Sequence, residues 1–409
     1  MRYAFRASRV TGPIGRMLTA LRRRGVRCTL LAVCPNSVAV VDAVIEAAAE
    51  LRAPLLFAAT LNQVDRDGGY TGWTQREFAE LARARAASVG SRTRPAICLD
   101  HGGPWLKDAH AAAGLTLDDA MSEVELSLAA CLDAGYDLLH VDPTVDPAFR
   151  GAGVPIDVVV ARTAELMAFA EAYRTRRSLP PVSYEVGTEE VHGGIADPDA
   201  FAEFLGRLRR ALRALDLRNA WPCFVVGKVG TDLHTAEFSA DTARTLVRIA
   251  AGYGSMVKGH YTDSVANPEE YPETGMGAAN VGPEFTEAEH DALAELEELE
   301  SRLFSRHRSD MTRALEEAVV RSGRWRKWLQ PEETGVDFPH LAPERRAWLV
   351  RTGCRYIWTQ PDVLRARARL GTNLGEARVD AEGHVRRRIG EVVRRYIRAF
   401  GLEGIADGL

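Results

Sequence analysis

The stretch PAICLDH, from Pro95 to His101, decides the fold that we predict for this chain. Its apolar residues form a short run typical of a strand buried on both faces, and the acid and the imidazole of Asp100 and His101 follow where the run ends. Two later strand-like runs lead to His234 and His260. In a parallel α/β barrel every strand points its C-terminal end at the same mouth, so these four side chains would meet there.

Short apolar runs alternate with longer segments of helical periodicity through the first two thirds of the chain. Eight candidate strands lie at Cys28–Val33, Leu55–Ala59, Ala96–Leu99, Leu138–Val141, Val182–Val186, Cys223–Val226, Met256–Lys258 and Ala278–Val281. Eight βα units of this length predict a (β/α)8 TIM barrel, with a doubly wound open sheet as the alternative. The barrel is favoured because polar side chains follow strand after strand, whereas an open sheet needs them only near its switch point.

From about Phe285 onward the candidate strands stop and charge density rises. We therefore expect residues 1–290 to form the barrel that carries the metal site, and residues 291–409 to form a helical C-terminal extension. Four aromatic residues of the extension are expected to pack it onto the barrel or onto a second subunit rather than to bind ligand. They are Trp325, Trp328, Tyr356 and Trp358.

Composition excludes several classes of protein. The formal net charge is -4 over 409 residues, so no global basic surface invites nucleic acid. No run of about eighteen apolar residues is long enough for a membrane span. The six cysteines are scattered without metal-ligand spacing, which is typical of reduced thiols. These features predict a cytoplasmic protein that contacts neither nucleic acid nor membrane.

Three imidazoles that leave a fourth position open suit a catalytic ion such as zinc. We predict one divalent ion per chain, with zinc expected and manganese or cobalt as alternatives, bound by His101, His234 and His260. Successive strand residues point to opposite faces, so Asp100 can join its neighbour at the mouth only where the strand turns. Asp100 would act as the acid/base, or alternatively would orient a ligand from behind it.

Other polar residues near strand ends are candidates for substrate contact. Asn62 and Gln63 offer amide groups suited to sugar hydroxyls. Glu185 is either an additional metal ligand or a buried partner for Lys228, and Asp142 either caps a turn or contacts substrate. Two further histidines are not expected to be ligands: His140, because it lies inside an apolar strand, and His192, which adjoins two glycines.

Six motifs along the predicted barrel together resemble one known family. They are FAATLNQVDRDGGYTGWT (57–74), LDHGGPW (99–105), YEVGTEEVHGG (184–194), GTDLH (230–234), GHYTD (259–263) and NVGPEFT (280–286). They look like the Z-type tagatose-1,6-bisphosphate aldolase subunits, which are related to the class II zinc aldolases. The resemblance implies a (β/α)8 barrel that is either a helper subunit of an aldolase or a ketose-phosphate carbon-4 epimerase.

The resemblance also implies roles for individual residues. It places a catalytic Asp at Asp100 beside the first zinc histidine, and it places the other two zinc histidines at His234 and His260. A proton-shuttling Glu of the mobile loop after strand five corresponds to Glu189 or Glu190.

The chain departs from the family pattern where such barrels commonly hold phosphate. Asn280 stands where the family tends to have Lys, and Glu284 stands where a small residue is usual. Both changes disfavour a phosphate dianion at that place. The substrate would then be a monophosphate of six or seven carbons, held by Lys228, Lys258 or backbone amides.

The resulting expectation is a divalent-metal-dependent retro-aldol/aldol enzyme that acts on a ketose monophosphate. Carbon-4 epimerisation and aldol cleavage share the same residues, because the two outcomes differ only in whether the aldehyde rotates and is attacked again or leaves. The alternative is a non-catalytic partner subunit of an aldolase. We expect a homo-oligomer, with a separate aldolase catalytic subunit as a possible partner.

Overall fold

A computed structural model describes residues 12–149, 153–187, 196–232, 234 and 237–408. Eight parallel strands close into a barrel in the order β1 to β8, with β8 pairing back onto β1. The (β/α)8 barrel predicted from the sequence is thereby confirmed. The strands are β1 (Leu30–Val33), β2 (Leu56–Thr60), β3 (Ala96–Gly102), β4 (Leu138–Val141), β5 (Ser183–Val186), β6 (Phe224–Val226), β7 (Met256–Gly259) and β8 (Ala278–Val281).

Helices surround this barrel and continue beyond it. In the described ranges they are α1 (Pro13–Arg23), α2 (Val38–Glu50), α3 (Gln75–Ser88), α4 (Asp108–Ala112), α5 (Leu117–Asp133), α6 (Ile156–Arg176), α7 (Pro198–Ala214), α8 (Ala240–Tyr253), α9 (Glu270–Thr274), α10 (Pro283–Leu303), α11 (Met311–Ser322), α12 (Pro343–Gly353), α13 (Pro361–Glu376) and α14 (Ala381–Ala399). None of them is both long and apolar enough to span a membrane.

Local chemistry explains where several of these elements begin. Ser37 caps α2 by accepting a hydrogen bond from the backbone N–H of Val40, and Thr74 opens α3 with a capping box that includes Glu77. Every residue of β1 is buried, as expected for a parallel strand covered on both faces. Helix α1 contacts the start of β5, where the backbone N–H of Ile14 donates a hydrogen bond to the hydroxyl of Ser183.

The C-terminal extension packs onto the barrel through α14. This helix contacts α2 and α10, and α10 is the helix that follows β8. The Arg394 guanidinium lies 2.7 Å from the Glu50 carboxylate, and the Tyr396 hydroxyl oxygen lies 2.8 Å from the carbonyl oxygen of Thr262. Two 3₁₀ turns of the extension, Arg324–Trp328 and Cys354–Tyr356, reach the C-terminal mouth of the barrel.

Candidate active site

The end of β3 presents two consecutive side chains to the barrel mouth. The pairing of β3 with β4 shifts register between Leu99 and Gly102, and His101 has a φ of 49°, in the left-handed region. That conformation breaks the strict alternation of a strand, and it costs a non-glycine residue on the order of 1 to 3 kcal/mol. The backbone irregularity is what lets Asp100 and His101 line the same cavity.

Four buried side chains bring possible metal-ligating atoms within 4.8 Å of one another: Asp100, His140, Glu185 and His260. The His140 Nδ1 atom lies 3.3 Å from a carboxylate oxygen of Asp100 and 3.6 Å from one of Glu185. The His260 Nε2 atom lies 3.3 Å from Glu185 and 3.8 Å from Asp100. The four groups come from β3, β4 and β5 and from the residue after β7.

These spacings fit a divalent ion. A tetrahedral site with metal–ligand bonds of about 2.0 to 2.1 Å has ligand-to-ligand edges of about 3.4 Å. The four nitrogen-to-oxygen distances of the cluster fall on either side of that value. Two imidazoles and two carboxylates are also a donor set that zinc, manganese and cobalt accept. The residues present therefore could hold a metal ion.

Lys258 places a positive charge beside the same cluster. Its Nζ atom lies 2.7 Å from Glu185 and 3.5 Å from Asp100, and its side chain is buried. Burial alone would raise the pKa of both carboxyl groups, but the Lys258 charge and the neighbouring histidines outweigh burial. They hold the pKa of Asp100 well below its usual value and lower the pKa of Glu185 to about 2. Both carboxylates are therefore ionised at neutral pH.

His101, His140 and Asp142 form a second group, of which His101 and Asp142 line the cavity. The His101 Nδ1 atom is 2.6 Å from Asp142, whose other oxygen accepts a hydrogen bond from the hydroxyl of Thr144. A carboxylate behind an imidazole fixes the ring orientation, as it does for many metal-binding histidines. Burial lowers the pKa of His101, but Asp100 and Asp142 raise it further than burial lowers it. The two carboxylates thus favour the protonated imidazole, and a metal ion that binds His101 would have to displace a proton from the ring.

The three imidazoles that lie together are those of His101, His140 and His260, so His140 takes the place predicted for His234. The ring centroids of His101, His140 and His260 lie 4.7 to 5.6 Å apart. The structure does not bring His234 to them: its side chain is exposed, and its ring lies 5.2 Å from that of Trp348. His234 lies eight residues beyond the end of β6, so it is not held at a strand end. His140 lies inside a strand, as the sequence indicated, and its Nδ1 atom faces Asp100 and Glu185. The expectation that His140 is not a ligand stays a prediction, and this geometry argues against it.

The two amide side chains predicted to contact substrate also form hydrogen bonds within the protein. Asn62 and Gln63 both line the cavity, but their side chains also hydrogen bond to the protein. Asn62 bridges the carbonyl of Leu106 and the backbone N–H of Asp108, and Gln63 accepts from the N–H of Thr60. They therefore shape the loops at the mouth as well as border the cavity.

Asn280 is linked directly to the predicted acid/base. Its Nδ2 atom donates to Asp100 Oδ2 at 2.9 Å, and its buried Oδ1 has no hydrogen-bond partner among the described residues. Glu284, the other departure from the family pattern, does not line the cavity in the described ranges. It accepts hydrogen bonds from the N–H of Ser264 and the hydroxyl of Tyr396, and it pairs with Arg395 at 2.6 Å.

Lys228 is not the partner of Glu185. Lys258 takes that place, and Lys228 does not line the cavity within the described residues. The pairing follows from register, because Lys258 lies on β7 inside the barrel whereas Lys228 lies two residues beyond the end of β6. Glu189 and Glu190, the candidates for proton shuttling, lie outside the described residues, and so does His192.

The cavity above the cluster has a volume of about 270 Å³, and the extension forms part of its wall. This size is near the lower end of the roughly 300 to 1,000 Å³ of small-molecule sites. Trp328 and Tyr356 line it, although they were expected to pack the extension onto the barrel or onto a second subunit rather than to bind ligand. Arg324, Lys327 and Arg355 line it as well, and sequence reasoning missed them.

Comparison with known proteins agrees with this architecture. The chain is 27% identical over 376 residues to the D-tagatose 6-phosphate 4-epimerase of Agrobacterium fabrum (strain C58), covering 85% of this chain and 84% of that protein. It is 27% identical over 335 residues to the D-tagatose-1,6-bisphosphate aldolase subunit GatZ of Escherichia coli O7:K1, covering 76% of this chain and 78% of that one.

A crystal structure of a probable tagatose 6 phosphate kinase from Sinorhizobium meliloti 1021 superposes with a TM-score of 0.75 at 24% identity, covering 91% of this chain and all of that one. At that identity the likeness supports the fold alone. The family model of the GatZ/KbaZ-like D-tagatose-1,6-bisphosphate aldolase subunits matches residues 16–395. The chain therefore belongs to the GatZ/KbaZ-like family.

Proposed function

We propose that this chain is a divalent-metal-dependent enzyme that interconverts the carbon-4 epimers of a ketose monophosphate by retro-aldol cleavage and re-addition. The observation that carries the proposal is the position of Asp100. Its carboxylate lies at the floor of the cavity and at the edge of a buried cluster of candidate metal ligands. Cleavage beside a ketone needs both a base and stabilisation of negative charge, and the two lie together here.

The ion would be held by His140, His260 and Glu185, with Asp100 and His101 bordering it on the cavity side. When bound, a divalent ion supplies electrostatic stabilisation of the negative charge that develops on the ketose oxygens. Lys258 contributes to the same end, because its ammonium group offsets one of the two buried carboxylates. The site as a whole then tolerates an anionic enediolate.

Asp100 accepts the proton of the carbon-4 hydroxyl in this proposal. Its Oδ2 atom is held by the amide of Asn280 at 2.9 Å, which fixes the carboxylate plane. The carboxyl group is ionised at neutral pH because neighbouring positive charges hold its pKa well below the usual value. After the carbon-carbon bond re-forms on the other face of the aldehyde, the same group returns the proton to the new alkoxide.

The shape of the cavity favours epimerisation over release of the aldehyde. Trp105 from the loop after β3 and Trp328 and Tyr356 from the extension line it together with Asp100. A fragment retained between these walls can rotate and be attacked again before it leaves. The relative from Agrobacterium fabrum is named as a D-tagatose 6-phosphate 4-epimerase, which agrees with this reading.

The test is an assay of the purified full-length chain alone with D-tagatose 6-phosphate, supplied with manganese, cobalt or zinc. We expect D-fructose 6-phosphate as the product in the NMR spectrum, with loss of activity after chelation and recovery after metal is added back. Accumulation of three-carbon products would instead identify aldol cleavage. No turnover with any of the metals would favour a partner subunit of an aldolase, as the name of the Escherichia coli relative suggests.

The departure at Asn280 leads us to propose a monophosphate rather than a bisphosphate. Glu284 gives no further support, because it does not line the cavity in the described ranges and pairs with Arg395. Asn280 brings no positive charge to the cavity, since its amide is hydrogen bonded to Asp100. D-tagatose 1,6-bisphosphate should therefore be the poorer substrate of the two. Equal or better turnover of the bisphosphate would show that the inference from Asn280 is wrong.

A further inference from the structure

Three cationic side chains of the extension face the cavity that contains Asp100. Arg324 and Lys327 lie on the 3₁₀ turn Arg324–Trp328, and Arg355 lies on the turn Cys354–Tyr356. Arg355 is only 6% exposed. Neither turn belongs to the barrel, so this part of the wall comes from an element that a (β/α)8 fold does not require.

The three cations outnumber the acids that neutralise them. Lys327 Nζ lies 3.2 Å from Asp108, and an Arg324 nitrogen lies 3.6 Å from the same carboxylate. Arg355 has no carboxylate partner within 4.0 Å in the described ranges; it donates to the carbonyl and hydroxyl oxygens of Thr352. Asp108 therefore pairs with two of the three cations and Arg355 pairs with no carboxylate among the described residues, which leaves about two positive charges at this wall.

The remaining acids of the cavity are occupied on the barrel side. Asp100 is close to Lys258 and Asn280, and Asp142 is bonded to His101. Asp263 accepts hydrogen bonds from two backbone N–H groups at 2.9 Å. The excess positive charge therefore lies on side chains of the extension, whereas Asp100 of the cluster lines the same cavity from β3.

Arg324 is also positioned for a ligand. Its guanidinium lies 5.4 Å from the ring centroid of Tyr70 and 5.0 Å from that of Tyr356, and these two rings contact each other edge to face. Its Nη1 atom is buried and has no hydrogen-bond partner among the described residues. A buried guanidinium N–H without an acceptor costs free energy, and an anionic oxygen would satisfy it.

We infer that Arg324, Lys327 and Arg355 form a subsite for a phosphate dianion, and that this subsite binds the terminal phosphate of the substrate. The second part rests on the proposed function; the first does not. The ketose would then lie with its phosphate at the extension and its carbon-4 end at Asp100. This orientation replaces the earlier expectation that Lys228, Lys258 or backbone amides hold the phosphate.

The experiment measures binding of inorganic phosphate to the full-length chain by isothermal titration calorimetry. Arg324→Gln should weaken binding by about 10- to 100-fold, the range expected for a charge-assisted hydrogen bond. Asp108→Asn should tighten it about two- to fivefold, because it removes the acid that competes for the cations. Arg326→Gln is the matched control, since Arg326 lies on the same turn, is exposed, and does not line the cavity in the described ranges.

Thermal unfolding of each variant shows whether it is folded. Equal phosphate affinity in folded Arg324→Gln and Arg326→Gln would overturn the inference, as would phosphate bound only at the metal cluster, which would not respond to Arg324. In the activity assay, Arg324→Gln should raise KM for the ketose phosphate about 10-fold or more and leave KM for the unphosphorylated ketose unchanged. Phosphate binding that depends on Arg324 in a chain without turnover would uphold the subsite and refute the proposed function.

Discussion

Asp263 gives a quantitative prediction about pH and stability. This residue lines the cavity, and its carboxylate oxygen accepts hydrogen bonds from the N–H groups of Gly282 and Glu284. Removal from water, and the negative charge of Glu284, raise the pKa of Asp263 from 3.8 to about 7. In the unfolded chain the same group would ionise near its ordinary value.

Proton linkage determines whether the free energy of unfolding rises or falls with pH. Below about pH 4 the group is protonated in both states and contributes nothing to the difference between them. Between about pH 4 and pH 7 the unfolded chain releases this proton while the folded chain keeps it, so stability falls as pH rises. Above about pH 7 the full penalty remains. A difference of about three pKa units corresponds to about 4 kcal/mol, which is an upper limit for a carboxyl group that is only partly buried.

Asp263→Asn removes the titration but keeps an oxygen that can accept both backbone hydrogen bonds. We expect the variant to gain stability over the unchanged protein by up to about 2 to 3 kcal/mol between pH 5 and pH 8, measured by urea unfolding. Asp216→Asn is the control, because its side chain is 95% exposed and its effect should stay within about 0.5 kcal/mol. An Asp263→Asn difference that does not change with pH would refute the reasoning.

Three further predictions concern the cluster. Lys258→Met leaves Glu185 and Asp100 without their counter-charge and should lower the free energy of unfolding by about 3 to 5 kcal/mol, with partial recovery when Glu185→Gln is added; a single variant as stable as the unchanged chain would contradict this. Asp100→Asn should lose roughly 10² to 10⁴ in turnover while substrate binding survives, as kinetics and calorimetry can measure, and near-normal turnover would exclude Asp100 as the base. Metal analysis should find metal lost in His140→Ala and retained in His234→Ala, and the reverse result would restore the original histidine assignment.

The sequence predicted the barrel because parallel strands buried on both faces appear as continuous apolar runs. It also predicted which polar side chains meet at the barrel mouth, since Asp100, His101, His260 and Asn280 all line one cavity. The sequence wrongly predicted that His234 lies beside the other two histidines, and the reason is physical. His101 lies within β3 and His260 directly follows β7, whereas a longer loop separates His234 from its strand.

Other members of the site depend on register and tertiary packing. His140 is flanked by Leu139 and Val141, so its neighbours alone indicate a core position. Only the pairing of β4 with β3 and β5 directs its ring towards Asp100. The local sequence signal that His140 could belong to the site was its polar side chain within an otherwise apolar barrel strand. Arg324 and Arg355 carried no such signal, because nothing local determines which end of the barrel the extension covers.

In the proposed mechanism, carbon 4 is inverted by breaking and re-forming the bond between carbons 3 and 4. The most direct measurement is the NMR spectrum of D-fructose 6-phosphate formed from D-tagatose 6-phosphate by the metal-loaded chain in D₂O. We expect conversion that retains protium at carbon 4, because that hydrogen stays on the aldehyde carbon throughout, and no conversion after chelation. Deuterium at carbon 4, or conversion that continues undiminished without metal, would contradict it.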